Sequence, residues 1–258
     1  MKQMFKLILF FARRELKNKN QLVVSLIIPS LLMIFMGMMG NRQAETQGYG
    51  FPYMTFLLPG IIIMSFLATS VITFPIIITN FRESGDLKRM FSTPISKVKL
   101  IFSIMSASTI TMFIQSSIII AIAYLGYNVR FKIDSYETIL YLIFLLILSI
   151  ISLLSLGFLI SGVVKTQRGA TTLGSTLNLV LPFISGVYFP INVWPQVLQY
   201  LAKVIPTTYI ISEFRNLIVY PITKNVTPLL ETYFTSCLIL FISSIIFSIL
   251  GIKLFKWR

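Results

Sequence analysis

Long apolar runs separated by short charged connections make up most of this chain. Windows of about 20 residues match a hydrocarbon core roughly 30 Å thick at 1.5 Å per residue. Windows of that size with charge-free interiors fall at 22–40, 56–80, 100–126, 138–164, 169–189 and 231–252. A Lys, Arg or Asp at the centre of one would cost about 2.5–3.5 kcal/mol on insertion, so six such windows predict six membrane-spanning helices. Pro29 and Pro75 predict kinks in the first two spans, and Pro182 in the fifth. Residues 1–20 follow another pattern. Phe5, Leu9, Ala12 and Leu16 recur at i, i+4, i+7 and i+11, with Lys6, Arg13 and Lys17 on another face. That spacing predicts an amphipathic interface helix on the inner leaflet, with Arg13, Arg14 and Lys17 toward anionic lipid. A loose basic tail that only enforces orientation is the plainer alternative.

Residues 190–230 are too apolar for an exposed loop and too interrupted by Pro190, Pro195 and Pro206 for a single span. They predict short re-entrant helices over 190–215 that dip into the outer leaflet, where irregular backbone must be buried in protein or line a cavity. Trp194, Tyr200 and Tyr209 suit the interface. The expected fold is an all-α integral membrane protein, a single domain over 1–258. It has six transmembrane helices, the N-terminal interface helix, and short re-entrant extracellular helices between spans five and six. The two three-span halves share neither charge pattern nor loop length, which weakens an inverted-repeat transporter.

Composition agrees. Of 258 residues 56% are hydrophobic and 12% charged, too few charges to cover a soluble domain of this size. The net charge of +14 points to membrane orientation and not to nucleic acid, because of where the charges sit. Sixteen of the 22 Lys and Arg fall at the termini and in alternate connections, which places both termini in the cytoplasm. There is no histidine and one cysteine, so an intramolecular disulfide is impossible and no metal site is expected. Cys237 lies within an apolar run, where it reads as a small packing residue. The N-terminus lacks the features of a cleavable signal, since Arg13-Arg14-Glu15 stands where a cleavage site would follow.

The window interiors hold no titratable charged side chain, which argues against proton-coupled transport and against catalysis within the bilayer. Gly157 and Gly162 have phosphate-loop spacing, as do Gly169 and Gly174, but Val163 and Ser175 stand where the lysine belongs. Energy from ATP must therefore enter from another polypeptide. Two polar stripes run along helices: Ser65, Thr69 and Thr73 on the second span, and Thr171, Ser175 and Asn178 on the fifth. They serve either close helix packing or the wall of a cavity for amphiphilic cargo, and both hold if the fifth helix faces a symmetry mate.

One connection stands apart. Residues 80–99 interleave acids, bases and apolar knobs before Pro94 stops the helix, a pattern for docking a soluble partner rather than for a plain solvated loop. The block Arg82-Glu83-Ser84-Gly85-Asp86-Leu87-Lys88-Arg89, followed by Thr93-Pro94-Ile95-Ser96, resembles the ABC type-2 transporter permease family. So do Ser185-Gly186-Val187-Tyr188-Phe189-Pro190 after the fifth window, Pro206-Thr207-Thr208-Tyr209, and Arg215. The resemblance covers essentially the whole chain.

It implies a bacterial plasma-membrane export permease: a pair of such chains, as a homodimer, above two copies of a separate ABC ATP-binding subunit that carries the ATP and magnesium. The chain itself would need no cofactor and would not be an enzyme. Arg82, Glu83, Gly85, Asp86, Leu87, Lys88 and Arg89 would form the coupling helix, with Lys165 and Arg168 as a second cytoplasmic contact. Phe189, Pro190, Pro206, Tyr209 and Arg215 would belong to a re-entrant gate. Compact outer connections resemble the branch exporting drugs, antibiotics or lipid-like compounds. Export of lipid-linked polysaccharide or a teichoic-acid-type polymer, a non-transporting anchor or sensor, and a stand-alone membrane enzyme are the alternatives.

Overall fold

A computed structural model describes residues 2–47, 53–85, 96–127, 129, 136–189, 191, 194–218 and 229–255, and every long element among them is helical. The chain opens with α1 (Lys2–Lys17). Next, α2 (Lys19–Leu22) runs through a π-helical turn at Val23–Ile27 into α3 (Ile28–Gln47). In the same way α4 (Tyr53–Leu67) runs through a π turn at Ala68–Thr73 into α5 (Phe74–Glu83). There follow α6 (Lys97–Tyr127), α7 (Tyr136–Val163), α8 (Gln167–Ile184), α9 (Gln196–Val204), α10 (Pro206–Ile218) and α11 (Leu229–Leu254).

Among the described residues five helical stretches are long and apolar enough to cross a membrane: Lys19–Met38, Tyr53–Glu83, Val98–Tyr127, Tyr136–Val163 and Tyr233–Leu254. They match five of the six apolar windows. The window at 169–189 behaves differently. Its helix, α8, has 18 residues and ends at Ile184. Gly186, at φ +79°, then turns the chain back on itself. Along α8 stand Arg168, Thr171, Thr172, Ser175, Thr176 and Asn178, so it is more polar than the other five.

The prolines act through the π turns. Before Pro75, the Phe74 N–H donates five residues back to Thr69 O; before Pro29, the Ile28 N–H donates to Val23 O. Proline lacks the N–H of an ordinary helical turn, and widening that turn absorbs the defect. Ser70 O thereby loses its usual donor. Gly157 of α7 covers it: a Cβ there would lie inside the van der Waals radius of Ser70 O. Gly174 of α8 meets Val71 O just as closely.

The second span, Tyr53–Glu83, is the axis of the bundle, with 89% of its most apolar window buried. Beside it α7 and α11 form a tight pair. Ser152 bonds Ser243 and Ser248 bonds Ser155, each at 3.1 Å, and Gly162 and Gly251 let the backbones approach. Helix α1 buries only part of the face its periodicity suggests, with Ala12 buried and Leu9 and Leu16 half-buried. Phe11, Ala12 and Glu15 face the protein, while Phe5 is 66% exposed. α6 takes the buried stripe and leaves Phe5 and Phe10 outward.

Candidate functional site

The basic end comes first. Arg82 lies in the last turn of α5, and its side chain turns inward. Nη1 donates to Val164 O at 2.8 Å and Nη2 to Ser161 O at 3.1 Å, while the guanidinium lies 4.8 Å above the Phe255 ring. Arg82, a candidate docking residue in the sequence, therefore binds the carbonyl end of α7 within the chain. The reason is physical: the last helical carbonyls need donors, and a forked cation beside them supplies two. Glu83 is exposed and Gly85, at φ +73°, ends the helix. Asp86, Leu87, Lys88 and Arg89 lie outside the described residues.

Lys165 and Arg168 are exposed at the same end, flanking Thr166, whose hydroxyl caps α8 by accepting from the Gly169 N–H at 3.1 Å. Asn80 Nδ2 donates to Gln167 Oε1 at 3.1 Å, tying α5 to α8. Arg13, Arg14 and Lys17 are exposed and line a groove of about 630 Å³ with Lys6 and Phe10. Arg14 also lies 4.6 Å over Phe81.

The stripe on the second span is buried within the chain. Ser65 and Thr69 both donate to Gln115 Oε1 of α6, at 3.0 and 2.9 Å, and Gln115 Nε2 donates to Ser25 Oγ at 2.8 Å. Thr73 is buried as well. This hub joins the π turns of the first two spans through one amide, and at Ser65 and Thr69 it is a helix-packing contact. The α8 stripe differs. Thr171 and Ser175 are exposed, and Asn178 is half-buried with its Oδ1 unpartnered.

At the far end the motif residues converge. Arg215 is buried in α10. Its Nη1 donates to Gly186 O and Nη2 to Val187 O, both at 2.7 Å; Nε donates to Phe56 O at 3.1 Å. Its guanidinium sits 3.6 Å over the Phe56 ring. The turn after α8 is thus held on the second span, where a Cβ at Gly60 would come within 2.8 Å of Val187. Ser185 and Thr207 share a hydrogen bond, and Tyr53 donates to Tyr188 O at 2.9 Å. Pro206 opens α10, and Tyr209 donates to Lys203 O at 2.7 Å. Phe189 is half-exposed and packs edge-on against Trp194. Pro190 lies outside the described residues.

Sequence reasoning missed four residues. Gln115 is the only amide inside its window, and that is a legible signal. Thr207 sits within a quoted motif. Glu213 is buried and accepts from Ser236 Oγ of α11 at 2.8 Å. Glu15, the first acid in the chain, is 2% exposed and accepts from Ser108 and Thr111 of α6 at 2.7 and 2.8 Å. Burial pushes its carboxyl up from 4.5 to about 7, against the opposing pull of those two hydroxyls.

The long apolar helices define a multi-pass membrane protein. Residues 3–219 match the family described as ABC-2 type transporter, and the chain belongs to that family. It is also 27% identical over 248 residues to a Cyanophora paradoxa protein named "Putative transport permease ycf38", covering 94% of this chain and 84% of that protein.

Proposed function

We propose that this chain is the membrane half of an ATP-driven exporter, moving a hydrophobic or amphiphilic drug, antibiotic or lipid-like compound out across a bacterial plasma membrane. Family membership supports the transport role. The lack of a phosphate-binding lysine after either glycine pair supports a separate ATP-binding subunit, in two copies, that docks on residues 80–99 with Lys165 and Arg168 beside it. Both termini then lie in the cytoplasm. The interface helix rests on the inner leaflet, with its basic groove toward anionic headgroups and Phe5 and Phe10 toward acyl chains.

The observation that carries the most weight is the outward face of α8. Thr171, Thr172, Ser175 and Thr176 are exposed on a helix packed among spans. Hydroxyls in lipid gain nothing, whereas small polar residues between helices allow close approach and hydrogen bonding. A second copy of this chain accounts for that face, with α8 as a short fifth span of about 27 Å. The cargo path then runs beside it, under a re-entrant gate made by α9 and α10. Inverted vesicles carrying the chain and its ATP-binding subunit should accumulate a fluorescent amphiphile only with ATP. Equal uptake without ATP, or without the ATP-binding subunit, would refute this function.

A further inference from the structure

Arg82 stands at the junction between a span and the proposed docking segment, yet both its terminal nitrogens are bonded within the chain. It reaches back into the bundle and holds the end of α7 through Val164 O and Ser161 O. Its guanidinium also lies over Phe255, at the end of α11. Phe255 in turn stacks on Phe158 of α7, ring centroids 5.5 Å apart. Below that stack α7 and α11 pack closely: a Cβ on Gly251 would come within 2.6 Å of Phe158, and one on Gly162 within 3.1 Å of Gly251 O. Two serine pairs continue the joint along the helices. Two residues earlier, Asn80 ties the same turn of α5 to the start of α8. Three residues later, Gly85 turns the chain out of the helix.

From these contacts we infer that Arg82 is a transmission residue: it passes displacement of the segment after α5 to the α7–α11 pair, and it is not itself a contact for the ATP-binding subunit. This rests on the proposed partnership and adds the route by which force would leave the coupling segment. The bond type suits the task. A guanidinium gripping two main-chain carbonyls in a fork resists rotation, where a single ammonium would pivot. The carbonyls it grips are in the last turn of α7 and one residue past its end, so a shift of Arg82 pulls on the helix end and not on a free side chain. Among the described residues its Nε has no hydrogen-bond partner, and the two terminal nitrogens and the Phe255 face provide the hold.

The test uses the full chain with its ATP-binding subunit, Cys237 replaced by serine, and a reporter cysteine at Val163, an exposed position in the last turn of α7. Maleimide labelling is timed with and without ATP and vanadate. With Arg82 intact, trapping should change the labelling rate on the order of tenfold, the scale of an ordinary coupling free energy. In Arg82→Gln the ATP-binding subunit should still co-purify and hydrolyse ATP, while the labelling rate no longer responds. Arg82→Lys should recover part of the response. Phe255→Leu, which keeps both donors and removes the ring, should weaken it and serves if Arg82→Gln does not insert. Loss of co-purification in a folded Arg82→Gln would make Arg82 a docking contact and overturn the inference. So would an unchanged labelling response. No response with Arg82 intact, or no associated ATP-binding subunit, would instead overturn the partnership it rests on.

Discussion

Replacing Gln115 by leucine removes one amide and leaves the volume of α6 nearly unchanged. Three hydrogen bonds go with it: those from Ser65 and Thr69, and the one to Ser25. Interhelical hydrogen bonds within a membrane contribute about 0.6 kcal/mol on average and about 1.7 kcal/mol at most, because the separated helices find other partners. Three of them give an expected loss of about 2 kcal/mol. Serine and threonine hydroxyls can fall back on carbonyls of their own helices, which keeps the figure from rising further. The assay is reversible unfolding of the purified protein in mixed micelles. Thr69→Ala should cost about a third as much, and the double variant should cost no more than Gln115→Leu alone, since both act on one network. Gln115→Leu at or above the stability of the unmodified chain would show that this hub does not hold the first three spans together. Unchanged stability with altered cargo preference would return Ser65, Thr69 and Thr73 to a cavity wall.

Other outcomes follow from the same contacts. A Glu15 carboxyl raised from 4.5 to about 7 contributes stability that is fully present below pH 4.5 and is lost as pH rises through 7. The loss amounts to about 3 kcal/mol. Glu15→Gln should flatten the pH dependence of unfolding between pH 5 and 8; an unaltered slope would place the titration elsewhere. Gly157→Ala sets a Cβ against the Ser70 carbonyl in the middle of the bundle and should destabilise by about 1–3 kcal/mol or more, read from the same unfolding curves. Arg215→Lys keeps the charge but cannot bond Gly186 O, Val187 O and Phe56 O together, so a loss of about 2 kcal/mol is expected; a neutral result would remove its role in pinning the turn. Cysteines at Ser175 in two copies should form an intermolecular disulfide, while cysteine at buried Thr69 should not; the reverse pattern would contradict the α8 interface.

Much of this architecture was legible in the chain because lipid imposes simple rules on sequence. Charge-free runs located five of the spans, and the separated motif residues pointed to the family. What stayed hidden were choices made in three dimensions. Periodicity marked α1 as amphipathic, but only its packing on α6 shows that Phe11 and Glu15 face inward while Phe5 faces out. Charge alone could not say which way Arg82 turns, since a docking cation and a helix-capping cation look the same in one dimension. The two polar stripes both follow helical spacing yet have opposite surroundings, set by Gln115 on one side and by exposure on the other. Pro29 and Pro75 announced irregularity without saying that a π turn, and not a kink alone, would resolve it.

The most direct measurement is purification of the full chain from its own membrane in mild detergent, with ATP hydrolysis assayed across the peak. An ATP-binding-cassette subunit should elute in equimolar amount, and hydrolysis should vanish when it is stripped away. Cargo transport by the stripped chain alone would contradict a permease driven from outside its own polypeptide.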